Sequence, residues 1–191
     1  MSSWDSFVYQ TIQKLKSKTS LSIFNTLTNN EDLIQICNHV YLGNVKAVHN
    51  QELLEKNQIE ALVNCTNDIP IHVYFKNRQY KQLYVEDSKD NENMNTFKNI
   101  IIETVDFIND CVKQEKNVIV HCYWGLMRSP CVIGCYLIYK YKMDVDGVIQ
   151  LIQSKKNFAF THIYNFRELL DYVYDYYQKK KQRIIKIIRI S

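Results

Sequence analysis

A ten-residue segment, 121–130, contains the residue types that covalent phosphate chemistry requires. It reads His-Cys-Tyr-Trp-Gly-Leu-Met-Arg-Ser-Pro. Cys122 supplies a sulfur nucleophile, and Arg128, six residues later, supplies a planar guanidinium that can hold two oxygens of one phosphoryl group. Gly125 between them permits a sharp turn of the backbone. We therefore interpret this segment as a loop that binds a dianion beside a reactive cysteine.

The flanking sequence predicts that this segment joins a buried strand to a helix. Residues 117–120 form a short apolar run, typical of a strand buried on both faces, and Pro130 suits the first turn of a helix. Backbone N–H groups in such a loop converge on one hollow, where they attract an anion and stabilise a thiolate. Either Cys122 or Arg128 alone could be an ordinary structural residue, but their joint spacing favours the reactive loop.

The rest of the chain predicts an α/β fold, because strand patterns alternate with helix patterns. The strand candidates are 39–43, 61–66, 71–75, 82–85 and 117–120. The helix candidates are 4–16, a short helix closed by 53–56, 97–112, 130–142, 144–155 and 163–177. Asp144 is a plausible N-cap, and residues 87–95 read as a polar loop.

Composition and charge exclude several classes of protein. The chain has 191 residues, of which 46% are hydrophobic and 23% charged, as in a folded globular domain rather than a disordered chain. The formal net charge is +4, but residues 179–191 hold six basic residues and no acid. The remainder therefore carries −2, so the net charge gives no argument for nucleic-acid binding by the whole chain.

The cysteines and the N-terminal sequence predict a location in a reducing compartment. The six cysteines form no Cys-x-x-Cys pair and no zinc-like spacing, so we expect free thiols, no metal and no cofactor. No stretch approaches the roughly 18 apolar residues of a membrane span, and residues 1–10 lack the pattern of a secretory signal. We expect the protein to be cytoplasmic, or associated with the virion if its source is a virus.

Residues 121–129 match the signature His-Cys-x-x-Gly-x-x-Arg-Ser/Thr of the cysteine-based protein tyrosine phosphatase superfamily. The Ser-Pro pair after Arg128 resembles its small dual-specificity branch, and so do four further segments, 39–44, 59–66, 83–88 and 152–166. The resemblance implies a central mixed, largely parallel sheet of about five strands flanked by helices. It also implies a catalytic domain over 36–178, preceded by a helical extension over 1–35 and followed by a basic tail over 179–191.

The same resemblance implies a role for each residue of the segment. The Cys122 thiolate would form a phosphocysteine, with Asp87 as the general acid and Glu86 and Asp90 as competing candidates. Ser129 would donate to the Cys122 sulfur, and His121 would support the loop rather than contact substrate. The phosphate-binding loop would consist of Tyr123, Trp124, Gly125, Leu126, Met127 and Arg128.

Within this superfamily the loop favours a phosphoprotein substrate, with phosphotyrosine and phosphoserine or phosphothreonine both accepted. The loop contains no lysine, which argues against highly phosphorylated lipids, and the Ser-Pro pair after Arg128 argues against RNA 5′-phosphatases. An RNA 5′-phosphatase and a pseudophosphatase that only binds phosphoproteins remain the alternatives.

The sequence patterns at both ends of the chain suggest binding partners. Trp4, Phe7, Val8, Ile12 and Leu15 share one face of the predicted N-terminal helix. That helix resembles the one through which small viral members of the family form a homodimer, although packing on the same chain is an equal alternative. The basic tail is either a helix extension or a segment that docks on a membrane or nucleic acid.

Overall fold

The computed structural model of the chain describes residues 31–88, 91–161 and 166–188, with side chains up to residue 182. Its described strands form one sheet. They are β1 (Leu33–Cys37), β2 (Val40–Gly43), β3 (Ile59–Asn64), β4 (Gln79–Gln82) and β5 (Asn117–His121). The sheet order is β1-β2-β5-β3-β4, with β1 antiparallel to β2 and the other pairings parallel. The predicted mixed, largely parallel sheet is confirmed.

Helices cover both faces of this sheet. In chain order they are α1 (Val45–His49), α2 (Gln51–Lys56), α3 (Asn91–Lys113), α4 (Arg128–Tyr141), α5 (Val145–Lys155) and α6 (Arg167–Ile188). The larger core lies between the sheet and α3 to α6, and the smaller core lies beneath α1 and α2. No described helix is long and apolar enough to cross a membrane.

The central strand β5 shows why an apolar run here produces a buried strand. Val118 and Val120 point into the larger core, and Ile119 points into the smaller one, all without solvent exposure. Successive side chains of a strand face opposite sides, so a strand covered by helices on both sides needs apolar residues throughout. The loop that follows β5 therefore starts from a rigid base.

Local capping interactions bear out several sequence predictions. The Asp144 carboxylate accepts a hydrogen bond from the backbone N–H of Gly147 at 2.7 Å and caps α5. Pro130 lies in the first turn of α4, as predicted, although the helix begins two residues earlier at Arg128. The left-handed conformation of Lys142, with φ of 58°, ends the same helix.

Two strand predictions are wrong. Residues 71–75 contain a short 3₁₀ helix, Val73–Phe75, in which Tyr74 and Phe75 are both buried while Val73 is exposed. A strand would have placed Tyr74 and Phe75 on opposite faces. The strand predicted at 82–85 lies at Gln79–Gln82, a mostly polar edge strand without an apolar pattern.

Element boundaries also differ from the predictions. Helix α3 begins at Asn91, inside the predicted polar loop 87–95, because Met94 is buried as part of its apolar face. Strand β1 crosses the boundary predicted between residues 35 and 36, so the sheet begins at Leu33. Helix α6 continues to Ile188 and therefore includes most of the predicted tail. The predicted N-terminal helix lies outside the described residues.

Candidate active site

The candidate site is the loop that joins β5 to α4 at the carboxyl edge of the sheet. His121 ends the strand, Arg128 begins the helix, and the loop holds Cys122 with only 2% of its surface exposed. Because α4 starts where the loop closes, the N–H groups of its first turn face the loop. The predicted strand-to-helix arrangement is confirmed.

Gly125 is essential to the shape of this loop. Its φ is +68°, in the left-handed region that favours glycine, and a Cβ atom there would lie 2.8 Å from the carbonyl oxygen of Gly43. Gly43 itself is confined, because a Cβ atom on it would lie 2.5 Å from Cδ1 of Ile119. The loop therefore curls against the end of β2 with backbone touching backbone.

Backbone hydrogen bonds hold the loop from two sides. The N–H of Val45, at the start of α1, donates to the carbonyl oxygen of Tyr123 at 3.1 Å. On the other side, the N–H of Phe160 donates to the carbonyl oxygen of Leu126 at 2.8 Å. Since these carbonyls point outward to their donors, the loop keeps its shape without a ligand, as a preorganised anion site requires.

A hydroxyl group lies beside the candidate nucleophile. Ser129 Oγ donates to Cys122 Sγ at 3.2 Å, and both side chains are buried. A hydrogen bond to sulfur stabilises the thiolate over the thiol and makes it a better leaving group. This contact agrees with the role that the resemblance implies for Ser129.

The structure brings Asp87 to the arginine of the loop. Arg128 is 5% exposed, and its Nη1 donates to the carbonyl oxygen of Val85 at 3.4 Å. Its Nε lies 3.8 Å from Oδ2 of Asp87, whose side chain is 13% exposed. Arg128 therefore connects the loop to the segment that carries the candidate general acid.

The competing carboxylates are placed differently. Glu86 is exposed, and its backbone N–H and carbonyl both pair with the side-chain amide of Asn93 at 2.8 Å. This double hydrogen bond fixes the segment just before Asp87 to the first turns of α3. Asp90 lies outside the described residues.

His121 is a buried neutral residue behind the cysteine. It is 1% exposed, and burial lowers the pKa of its imidazole to about 3, outweighing an opposing hydrogen bond with the backbone of Cys122. Its carbonyl oxygen accepts a hydrogen bond from the N–H of Cys65 at 2.9 Å. The ring is thus part of the wall behind the loop, in line with a supporting role.

The remaining loop residues divide between the core and the mouth. Leu126 and Met127 are buried in the larger core. Tyr123 and Trp124 are half-buried, with ring centroids 5.0 Å apart, and the indole also packs on the core. The mouth of the loop therefore presents two aromatic rings and no charged side chain of its own.

Sequence reasoning missed a buried lysine next to the loop. Lys156 is 2% exposed, and its Nζ donates to the carbonyl oxygen of Glu31 at 2.9 Å. Burial lowers its pKa to about 8, although the charges of Asp32 and Cys122 oppose this shift. Lys156 follows Val148 and Ile152 at intervals of four, and this spacing was the available signal that it faces inward.

Asp32 and Asn44 extend this polar cluster to the loop. The Asn44 side chain donates to Oδ1 of Asp32 at 2.7 Å, and its backbone N–H donates to the carbonyl oxygen of Asp32 at 3.1 Å. Asn44 also caps α1, whose first residue holds Tyr123. Neither residue stood out in the sequence, because an Asn after a glycine reads as an ordinary turn.

The cysteines and the carboxylates give no sign of a metal centre in the described part of the chain. No group of three or more His, Cys, Asp or Glu side chains there is arranged to hold a metal ion. All six cysteines are free thiols, and burial raises the pKa of Cys65 well above its ordinary value.

The fold and the loop together are those of the cysteine-based protein tyrosine phosphatase superfamily. A family model described as "Dual specificity phosphatase, catalytic domain" matches residues 40–187. The chain belongs to this dual-specificity phosphatase family.

Curated relatives and solved structures agree with this assignment. The chain is 30% identical over 141 residues to human "Dual specificity protein phosphatase 9", covering 73% of the chain and 35% of that relative. It is 29% identical over 133 residues to "Dual specificity protein phosphatase 1" of Arabidopsis thaliana, covering 69% and 64% respectively. The chain thus spans less than two thirds of the length of either relative. The structure of human DUSP28 superposes with a TM-score of 0.70 at 18% identity, covering 78% of this chain and 96% of that one.

Proposed function

We propose that this protein is a dual-specificity protein phosphatase, acting on phosphotyrosine and on phosphoserine or phosphothreonine through a phosphocysteine intermediate. The observation that carries the proposal is the buried pair Cys122 and Ser129 in a rigid phosphate-binding loop, with Arg128 linking that loop to Asp87. Membership of the dual-specificity phosphatase family supports the same chemistry.

In the first step the Cys122 thiolate attacks phosphorus, a P–S bond forms and the ester P–O bond breaks. The loop amides and the Arg128 guanidinium hold the other phosphoryl oxygens and stabilise the charge in the transition state. The leaving oxygen takes a proton from the Asp87 carboxyl group, which must be protonated at this stage.

In the second step water attacks the phosphorus of the phosphocysteine. The Asp87 carboxylate takes the proton from this water, the P–S bond breaks and inorganic phosphate forms. The sulfur leaves as a thiolate, and the Ser129 hydroxyl, 3.2 Å away, stabilises it by donating a hydrogen bond. The cycle needs no redox chemistry, since the thiol returns to its starting state.

The substitution Cys122→Ser tests the chemistry. We expect it to abolish hydrolysis of p-nitrophenyl phosphate while the fold persists, because a serine hydroxyl is a far weaker nucleophile than a thiolate. Cys37→Ser is the matched control, since Cys37 is a half-buried free thiol on β1, on the far side of β2 from the loop strand. Comparable activity in wild type and Cys122→Ser would overturn the mechanism.

Asp87→Ala tests the general acid separately. We expect its rate to fall most on phosphotyrosine and phosphoserine peptides, whose leaving groups need a proton, and least on an activated aryl phosphate. Glu86→Ala is the control, since its side chain is exposed and is the competing candidate. An equal loss on all substrates would assign Asp87 a binding role instead.

The proposal includes the substrate class. The uncharged aromatic mouth formed by Tyr123 and Trp124 supports phosphorylated protein side chains. The comparisons do not favour the RNA 5′-phosphatase or the binding-only alternative. A phosphopeptide panel, run beside RNA with a 5′-triphosphate end, measures this preference directly.

Two further hypotheses complete the proposal. A catalytic thiol requires a reducing compartment, so we infer a cytoplasmic location.

The homodimer predicted through Trp4, Phe7 and their neighbours concerns residues outside the described ranges. Light scattering of the full chain and of Trp4→Ala would test it, since a monomeric mass in both would exclude the dimer.

A further inference from the structure

A cleft lies at the end of α4 that is remote from the phosphate-binding loop. It is bounded by the last turn of α4 and the middle of α6, and it has a volume of about 400 Å³. Helix α4 has 14 residues, so the cleft is about 20 Å from the loop at the other end of the helix. It is therefore separate from the candidate active site.

Aromatic rings form the walls of this cleft. Tyr139, Tyr174 and Tyr177 line it, and the centroids of Tyr139 and Tyr177 are 5.0 Å apart. The Tyr177 hydroxyl is buried and has no hydrogen-bond partner within the described residues.

Three lysines give the cleft a positive rim. They are Lys142, Lys180 and Lys181, and no acidic residue lines the cleft in the described part of the chain. The Lys142 ammonium lies 5.0 Å from the ring centroid of Tyr139 and 6.0 Å from that of Tyr177. The cleft thus combines an aromatic interior with a positively charged rim, and its complement is an acidic segment with an aromatic or aliphatic side chain.

The positive charge of the cleft also indicates which kind of peptide segment binds there. Residues 1–30 of this chain contain Lys14, Lys16 and Lys18 but only one acid, Asp5, so they carry the same sign as the rim. A volume of about 400 Å³ is at the small end of ligand pockets and suits one or two inserted side chains rather than a folded domain. An acidic peptide segment fits both properties.

We propose that this cleft is a docking site for an acidic segment of the phosphoprotein substrate. An apolar side chain of the segment inserts between the tyrosines, and its neighbouring carboxylates meet the three lysines. A segment bound there must lie at least about six extended residues from the phosphorylated residue, given the 20 Å separation. This inference rests on the proposed function, because it assigns a specificity site to the same enzyme.

A binding titration tests the cleft independently of catalysis. The probe is a fluorescently labelled, unphosphorylated random copolymer of glutamate and tyrosine, followed by anisotropy against the full chain. The test variant is K142E/K181E, and the matched control is K140E/K179E. Each pair makes the same charge change at one position near the end of α4 and one in α6, but neither Lys140 nor Lys179 lines the cleft.

We expect about tenfold weaker binding by K142E/K181E and little change in the control, because only the first pair faces the ligand. Polyglutamate should bind wild type more weakly than the copolymer does, because it has no side chain for the aromatic interior. Equal weakening in both variants, or equal binding of both polymers, would show only a general electrostatic attraction and overturn the proposal.

Kinetics then connect the cleft to the substrate. With the tyrosine-phosphorylated copolymer, K142E/K181E should raise KM about tenfold, while its kcat/KM on p-nitrophenyl phosphate stays at the wild-type value. If wild type fails to hydrolyse p-nitrophenyl phosphate, the proposed function fails, and the binding titration still decides whether the cleft takes an acidic peptide.

Two outcomes would assign the cleft to another occupant and overturn the proposal. A dimer that dissociates in K142E/K181E but not in K140E/K179E would identify a second copy of the chain. Tighter copolymer binding by Trp4→Ala than by wild type would identify the chain's own N-terminal segment.

Discussion

At the scale of single residues, the phosphate-binding loop depends on buried polar groups with defined partners. Ser129 donates to the candidate nucleophile, Arg128 connects the loop to Asp87, and Lys156 donates to the backbone of Glu31. Buried polar groups are costly unless they are paired, so each of these contacts also constrains the fold. Lys156 is the case with the clearest consequence for stability.

Lys156→Met should change how stability depends on pH. Burial lowers the pKa of Lys156 from 10.5 to about 8, so between these values the folded chain binds fewer protons than the unfolded chain. The free energy of unfolding therefore rises with pH through that window. Below about pH 8 the folded chain carries the full cost of burying the charged ammonium group. Urea unfolding at roughly pH 7.5, below the window, and at roughly pH 9.5, inside it, should show wild type gaining stability relative to Lys156→Met.

Tyrosines and cysteines also titrate in this pH range. Both proteins contain them, so their effect on stability cancels when wild type is compared with Lys156→Met. Lys155→Met is a second control, because that neighbouring lysine is only half-buried. Parallel stability curves for wild type and Lys156→Met would contradict the assigned burial effect.

At the scale of elements, the loop is shaped by the neighbouring end of β2 and by the connection between α5 and α6. Gly43 and Val45 hold its first half, and Phe160 holds its second half. Both supports are backbone groups from distant parts of the chain. The geometry of the candidate site is therefore a property of how β2, β5 and the α5–α6 connection pack together.

Gly125→Ala should distort this element. The alanine would have to adopt a φ of +68° with its Cβ 2.8 Å from a backbone oxygen. The left-handed conformation alone costs about 1 to 2 kcal/mol, and the contact forces the loop away from Gly43. We expect a loss of p-nitrophenyl phosphate hydrolysis of at least about a hundredfold, together with a lower melting temperature.

Gly147→Ala is the control for this prediction. Gly147 lies in the first turn of α5, where the nearest atom to an added Cβ is the end of the Asp144 side chain. Activity should be unchanged there, since alanine suits a helix better than glycine. Retained activity in Gly125→Ala would show that the loop tolerates another backbone shape.

At the scale of the whole molecule, α4 joins the candidate active site to the larger core. Its N-terminal turn closes the phosphate loop, its middle packs against α5 and α6, and its last turn borders the cleft. Gly134 is the point of closest approach, because a Cβ atom there would lie 2.8 Å from Leu170 and 3.0 Å from Val148. Three helices therefore meet at one glycine.

Gly134→Val should destabilise the protein as a whole. The added side chain has no space between α4, α5 and α6, and such overpacking costs roughly 1 to 3 kcal/mol. The midpoint of urea unfolding should fall, while kcat of the folded fraction stays near wild type because the phosphate loop is unaltered. Gly147→Val, on the more open side of α5, serves as control, and an unchanged midpoint in Gly134→Val would contradict the close packing.

The sequence alone determined the class of fold and identified the loop of the candidate active site. Cys122, Gly125, Arg128 and Ser129 lie within eight consecutive residues, so local order was sufficient to place them in one loop. The apolar run of β5 and the Asp144 cap could be predicted for the same reason, since both are local patterns. The polar edge strand β4 could not be predicted, because it carries no apolar alternation.

Only the tertiary structure decided what surrounds that loop. Asp87 is 41 residues from Arg128, Lys156 is 125 residues from Glu31, and the cleft lies between the end of α4 and the middle of α6. No local pattern specifies that such residues meet, because their proximity follows from the strand order and from helices packing on one face of the sheet. The direction in which Lys156 points, and hence its burial, was decided by that packing.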